Sequence, residues 1–322
     1  MKKILFCIFA GSLIISAGLI IASCGGKTSV DDKWTDTYAS GDIRIAVDAS
    51  FSPIIDEELA LFHYQYHKAN ITPIYTDEVN GLNLLMKDSV RLCITARRLK
   101  EGEMEFFRQK QFRPKEILLA KDALALIVHK SQRDTLISTN QLRDILTGKA
   151  RRWSDLYPGA ANAEIQIVFD NKNSSTVQYV IDSICYGKPL CEDNLSVEKD
   201  SRAVVDYVSE TPNTIGIVGA NWVTDDRDTT HLTFMDNVRI MSVSSQPTAR
   251  PSDSFKPYQY YLYSNEYPLA RPIYMILSDP KRGLSWGFTN FLQTYKAQKV
   301  ILKSGLLPAI IQQGQEVVIK TY

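Results

Sequence analysis

The residues best suited to chemistry in this 322-residue chain are hydroxyl-bearing ones that stand just ahead of helix-forming segments. Asp48-Ala49-Ser50-Phe51-Ser52 follows the alternating stretch Ile43-Arg44-Ile45-Ala46-Val47, and Pro53 sits where a helix would begin, with Asp56, Glu57 and Glu58 in its opening turns. Asn173-Ser174-Ser175-Thr176 stands in the same relation to a strand-like run from Ile165 to Phe169 and a helix starting near Ser175. A helix start offers unpaired N–H groups and the positive end of a dipole, and serine and threonine hydroxyls add donors that rotate to fit, a combination suited to an oxyanion. The same residue types cap helices without any ligand, and Asp48 reads equally as a cap. Arg97, next to Arg98 and just after Arg91–Thr95, offers a planar, permanently charged fork for two oxygens of a tetrahedral anion, leaving Arg98 to the solvent.

Little else in the sequence suggests reactivity. His63 and His67 have the i, i+4 spacing of a helical metal pair, but Tyr64-Gln65-Tyr66 between them lacks the glutamate of a zinc-protease motif, so they read as half-exposed helix residues. There is no nucleophile elbow, phosphate-binding lysine loop or paired-cysteine motif. No catalytic residue, metal or cofactor is therefore expected. The charged residues, 37 basic against 36 acidic, form no polybasic tail or arginine stripe, which argues against nucleic acid as a partner. Any anion site must be local.

Lys2 and Lys3 lead a run of about 18 apolar or small residues that closes on Ile21-Ala22-Ser23-Cys24, the layout of a bacterial signal peptide. The run is almost long enough to span a bilayer, so an uncleaved anchor is the alternative. The closing stretch resembles a lipobox, which implies cleavage before Cys24, acylation of its thiol and new amino group, and a body tethered to a membrane by lipid. Cys93, inside Val90-Arg91-Leu92-Cys93-Ile94, reads as a small buried residue. Cys185 and Cys191 flank the turn-rich Tyr186-Gly187-Lys188-Pro189-Leu190, and in an oxidising envelope they are expected to form a disulfide, with two free thiols as the alternative.

The elements that must position these residues alternate along the chain. Gly25 to Ser40 is polar and suits a flexible tether. Strands are expected at Ile43–Val47, Ile71–Tyr75, Arg91–Thr95, Ile165–Phe169 and Ile215–Gly219, and helices after Pro53, over Gly81–Met86, over Thr139–Leu146 and over Phe288–Leu302. Such alternation favours a largely parallel sheet with helices on both faces. Leu118–Val128, broken only by Lys121-Asp122, and Arg271–Leu277 are long apolar strands able to cross between two α/β lobes.

In order and spacing these pieces resemble the phosphate-type substrate-binding proteins of ABC importers, within the type 2 periplasmic-binding superfamily. Asp48-Ala49-Ser50-Phe51-Ser52-Pro53 is similar to that family's first ligand loop, and Cys93-Ile94-Thr95-Ala96-Arg97-Arg98-Leu99 to its second. Lys121–Val128 resembles the first crossover strand and Tyr267-Pro268-Leu269-Ala270-Arg271-Pro272 the returning one. Gln141–Lys149 followed by Trp153-Ser154-Asp155-Leu156 is a further recognisable stretch, and Asn173-Ser174-Ser175-Thr176 falls at the phosphate loop.

The resemblance implies a signal peptide at 1–23, a lipidated tether at 24–40, one lobe from 41–127 with 270–322, and a second from 128–269. It implies capture of phosphate or a similar oxyanion by Asp48, Ser50, Phe51, Ser52, Thr95, Arg97, Ser174, Ser175 and Thr176, and delivery by a monomer to an ABC permease. Two departures stand out: Asp170-Asn171-Lys172 lies where the family has an arginine, which Lys172 would replace, and Asp77-Glu78 stands in a loop that is usually neutral. They motivate the alternative of an envelope sensor or surface adhesion protein that keeps the fold without the importer.

Overall fold

The computed structural model describes residues 35–225, 228 and 233–310, so the signal segment and Cys24, with its expected cleavage and acylation, lie outside the described residues. The chain begins with β1 (Gly41–Asp48), a 3₁₀ turn (Ala49–Phe51), α1 (Ser52–Gln65), β2 (Ala69–Thr76), α2 (Glu78–Met86), β3 (Leu92–Thr95) and α3 (Glu101–Gln109). The long β4 (Lys115–His129) leads to β5 (Leu136–Ser138), α4 (Thr139–Leu146), α5 (Trp153–Leu156), β6 (Gln166–Phe169) and α6 (Ser175–Tyr179). Then come β7 (Leu195–Val197), α7 (Ser201–Glu210), β8 (Thr214–Gly219), β9 (Val238–Ile240), β10 (Ser242–Ser244) and α8 (Gln259–Tyr263). The chain returns through β11 (Ala270–Leu277) to α9 (Leu284–Leu292), α10 (Tyr295–Lys303) and β12 (Leu307–Pro308).

β4 explains the architecture. Its first part, Lys115–Ala123, pairs antiparallel with β11; its second, Leu124–Val128, pairs antiparallel with β8. Residues 123–128 are wholly buried, which is why this run is apolar without alternation. The sheet runs β2-β1-β3-β11-β4-β8-β6-β7. Its wings are parallel, as in β1 with β2 from Gly41 opposite Ala69 to Asp48 opposite Thr76, and β6 with β8 and β7. The centre is antiparallel because the strands carrying the chain between halves run against the wings. The expected parallel pairing holds in each wing, and the two crossing strands make the sheet as a whole mixed. Leu269 closes the second crossing, its carbonyl accepting from Leu124 N–H at 2.9 Å, and the Tyr267 hydroxyl donates to the Leu124 carbonyl at 2.6 Å.

Each half packs its own helices. Leu82, Leu85, Val90 and Phe107 gather against Ile276 in the first half, where Phe62 of α1 also meets Phe288 and Phe291, each at 5.1 Å between centroids. In the second, Leu142, Ile145 and Trp153 pack with Ile167, Val204, Val208 and Ile217.

Three expectations change. The helix read over Phe288–Leu302 is two, since Gln293 ends α9 and the Thr294 hydroxyl starts α10 by accepting from Ala297 N–H. The tether ends sooner: residues 36–40 belong to the folded body, with Asp36 accepting from Leu284 N–H and the Tyr38 hydroxyl accepting from Asn290 Nδ2 at 3.0 Å. The Cys185–Cys191 bridge is not formed, and both are free thiols. Cys185 is buried beside the π-helical turn Val180–Ile184, whereas Cys191 packs over Gly148, where a Cβ would come within 2.7 Å of its sulfur. His63 is the part-exposed helix residue expected, its Nε2 accepting from Ile71 N–H at 3.0 Å, while His67 lies exposed just past the end of α1. Among the described residues no helix is long and apolar enough to cross a membrane.

Candidate functional site

The carboxyl ends of several strands, and the helix starts that follow them, converge on one cavity of about 310 Å³ between the halves, the usual place for a ligand in open α/β sheets. At the end of β1, Asp48 turns the chain by accepting from Ser50 N–H through Oδ1 at 2.9 Å. Ser50 and Ser52 reach the cavity, and α1 begins there with no side chain capping its first N–H groups. From the other half, Asp170, Asn171 and Ser174 reach it after β6; Ser174 also caps α6 through Val177 N–H at 3.3 Å. The two loops touch, with Ser50 Oγ 3.5 Å from Ser175 Oγ.

Behind them lies a charge that the sequence reading assigned only to a crossover strand. Arg271, 1 % exposed, donates through Nε to Asp122 Oδ2 at 2.9 Å. Its Nη1 donates to Ser175 Oγ at 3.0 Å and Thr176 Oγ1 at 3.3 Å. The guanidinium also stands over the Phe51 ring at 5.0 Å. Asp122 and Arg271 come from the two strands that cross between halves, so one buried ion pair ties the crossings to both loops. Gly219 makes room for it: a Cβ there would lie 3.3 Å from Asp122 Oδ2 and 3.5 Å from Arg271 Nη2. The pair was visible in sequence as isolated charges within apolar strands, and such charges stay buried only when partnered.

Asp48 is 3 % exposed and its Oδ2 has no hydrogen-bond partner. Burial pushes its carboxyl up to about 6, against the pull of Arg271 and the Ser50 hydrogen bonds. Across the boundary the Ser50 carbonyl accepts from Trp222 Nε1 at 2.9 Å and Asn221 Nδ2 at 3.2 Å.

Of the residues singled out in sequence, Asp48, Ser50, Ser52 and Ser174 line the cavity, while Phe51, Ser175 and Thr176 are buried around Arg271. Thr95 and Arg97 are not brought to it. Thr95 donates to Glu78 Oε2 at 3.1 Å; Arg97 donates to Glu78 at 2.7 Å, to both oxygens of Glu103 at 2.7 and 2.8 Å, and to the Arg98 carbonyl. The fork of Arg97 is filled by the acidic residues of α2 and α3. Lys172 lines a different cavity, beside Phe169 and Val177, and so does not replace the missing arginine. Asp77 is a helix cap, accepting from Asn80 N–H at 2.9 Å. Sequence reasoning missed Asn171, Lys199, Ser201, Tyr75 and Trp222 as lining residues, because only the fold brings their loops together.

This arrangement, a ligand-sized cavity at the meeting of two α/β halves joined by two crossings, defines a two-lobed binding protein. The chain belongs to the PBP superfamily, whose domain model matches residues 34–295. It is similar to the phosphate-binding protein PstS of Staphylococcus saprophyticus, 22 % identical over 287 residues covering 88 % of this chain and 83 % of that one. PstS of Staphylococcus aureus is 20 % identical over 275 residues, 84 % of this chain and 78 % of its own. Among solved structures, a substrate-binding protein from Clostridium perfringens with bound phosphate has a TM-score of 0.68 at 20 % identity, covering 84 % of this chain and 100 % of that one. A phosphate transport receptor from Vibrio cholerae has a TM-score of 0.64 at 18 % identity, covering 83 % and 99 %.

Proposed function

We propose that the chain is a lipid-anchored solute-binding protein that captures phosphate, or a closely similar oxyanion, between its lobes and delivers it to an ABC importer. The observation that carries this reading is the meeting of the Ser50–Ser52 and Ser174–Thr176 loops at one cavity with Arg271 buried behind them. The hydroxyls of Ser50, Ser52 and Ser174 supply donors for the anion, with the positive end of the α1 dipole behind them; of the first amides of α1, Ser52 N–H is already given to the Ala49 carbonyl and Pro53 has none. Arg271 positions Ser175 and Thr176 and adds a positive field from behind. Asp48 Oδ2 accepts from the P–OH that phosphate carries at neutral pH and sulfate lacks. Thr95 and Arg97 drop out of the ligand set.

The names of the similar proteins from Clostridium perfringens, an ABC transporter substrate-binding protein, and Vibrio cholerae, an ABC-type phosphate transport receptor, favour import over a sensor or adhesion role. Lobes at 41–127 with 270–322 and at 128–269 would close about the crossings as a monomer, and Cys24 would carry the lipid that holds the protein at the outer face of a membrane. Calorimetry on phosphate-stripped protein tests the reading. Phosphate and arsenate should bind and sulfate should not; absence of binding by all three defeats it.

A further inference from the structure

The cavity between the lobes is larger and more acidic than a five-atom anion requires. At about 310 Å³ it falls within the size of sites that take small organic molecules, roughly 300–1,000 Å³. Asp48, Asp77, Asp170 and Asp200 line it together with one lysine, Lys199. Asp77 and Asp200 are engaged as helix caps, the latter accepting from Ala203 N–H at 2.8 Å. Asp48 stands in the Ser50 loop, where it serves the P–OH.

Asp170 has no such role. It is 6 % exposed; Oδ2 accepts from the Ser201 hydroxyl at 2.8 Å, and Oδ1 is buried with no partner. An ionised oxygen in that position is costly unless a donor meets it, and a cation meets it best. Of the basic residues nearby, Arg271 is engaged by Asp122, Ser175 and Thr176, and Lys199, largely exposed and 3.9 Å from Asp200, is not placed against Oδ1. A cationic group on a ligand would meet that oxygen.

We infer that the site takes a zwitterion, a phosphonate or phosphate monoester with a primary ammonium group joined to phosphorus by a short chain. This rests on the oxyanion reading above. The anionic head occupies the Ser50, Ser52 and Ser174 donors, the ammonium donates to Asp170 Oδ1, and the Trp222 and Tyr75 walls border the stem.

The test is calorimetry on the full chain in mild detergent with 2-aminoethylphosphonate, n-propylphosphonate and inorganic phosphate. The first two have the same shape, with methyl in place of ammonium in the second. The aminoethyl compound should bind tighter than the propyl one by about ten- to a hundredfold, as for one charge-assisted hydrogen bond. In Asp170→Asn, which keeps the Ser201 contact, that ratio should fall to near one. Equal binding of the two phosphonates by the wild type overturns the inference, and this comparison needs no variant to fold. If inorganic phosphate still binds in that case, the oxyanion reading stands alone. Failure of all three to bind overturns both, and a preserved ratio in folded Asp170→Asn overturns the role of Asp170.

Discussion

Arg271 is held inside the protein by Asp122, by two hydroxyls and by an aromatic face, so its removal should act through what is left behind. Arg271→Met strands a buried aspartate and should lose about 3–5 kcal/mol, whereas pairing it with Asp122→Leu should restore much of that. Urea unfolding decides: equal losses in the single and double variants count against the pairing. Glu58 is the opposite case, fully buried with neither carboxyl oxygen hydrogen-bonded. Burial, helped by Glu57, pushes its carboxyl from 4.5 up to about 9. The folded chain then keeps a proton that the unfolded chain releases near 4.5, so stability falls as pH rises from there toward about 9. Glu58→Gln lacks this linkage, and its stability advantage should grow by up to about 1.4 kcal/mol per pH unit through that window. A flat difference between the two proteins from pH 5 to pH 8 would falsify it. Residue types alone ranked Arg97 above Arg271, because a sequence does not reveal that Glu78 and Glu103 fill one fork while the other is turned toward the loops.

At the scale of elements the sequence was most legible where periodicity and punctuation coincide. Ile43–Val47, the helix after Pro53, Thr139–Leu146 and both crossing strands lie within residues of their expected places, because apolar spacing marks the buried faces and Pro or Ser marks the starts. The reading failed in two ways. It passed over Thr294, a local cap of the kind that starts helices, and it missed what tertiary contact decides, since nothing local shows that residues 36–40, polar as they are, dock on α9. The docking depends on Gly287, since a Cβ there would run into the Tyr38 carbonyl oxygen. Gly287→Ala should lift that segment and cost about 1–3 kcal/mol, as overpacking does. Loss of hydrogen-exchange protection at the Thr37 amide, which donates to the Ser40 carbonyl at 2.8 Å, with a lower melting temperature, is the expected result; an unchanged melt and unchanged protection would disprove the contact.

The molecule as a whole joins its lobes by contacts that the sequence could not display, because their partners are about 170 residues apart. Sequence reading located both loops of the site, yet it could not find the clasp across them. The Ser50 carbonyl accepts from Trp222 and Asn221, so the loop proposed to hold the anion is also the loop that these two residues grip. Opening of the proposed lobes would break both bonds, and the proposed ligand contacts on Ser50 and Ser174 need the lobes together; clasp and ligand would then stabilise the same arrangement. Trp222→Phe keeps an aromatic wall and removes one donor. A hydrogen bond is worth about 0.5–1.5 kcal/mol, so the ratio of closed to open protein should fall by about two- to twelvefold. Where the closed form is the minor one, affinity falls by the same factor, and the change appears chiefly as faster release, because the clasp forms after the ligand has entered. Stopped-flow release of phosphate, or of whichever phosphonate binds, gives the rate directly. Asn221→Ala should act in the same direction through its longer bond. Release rates that match wild type in both variants would show that the contact between the lobes does not govern how long the ligand is held.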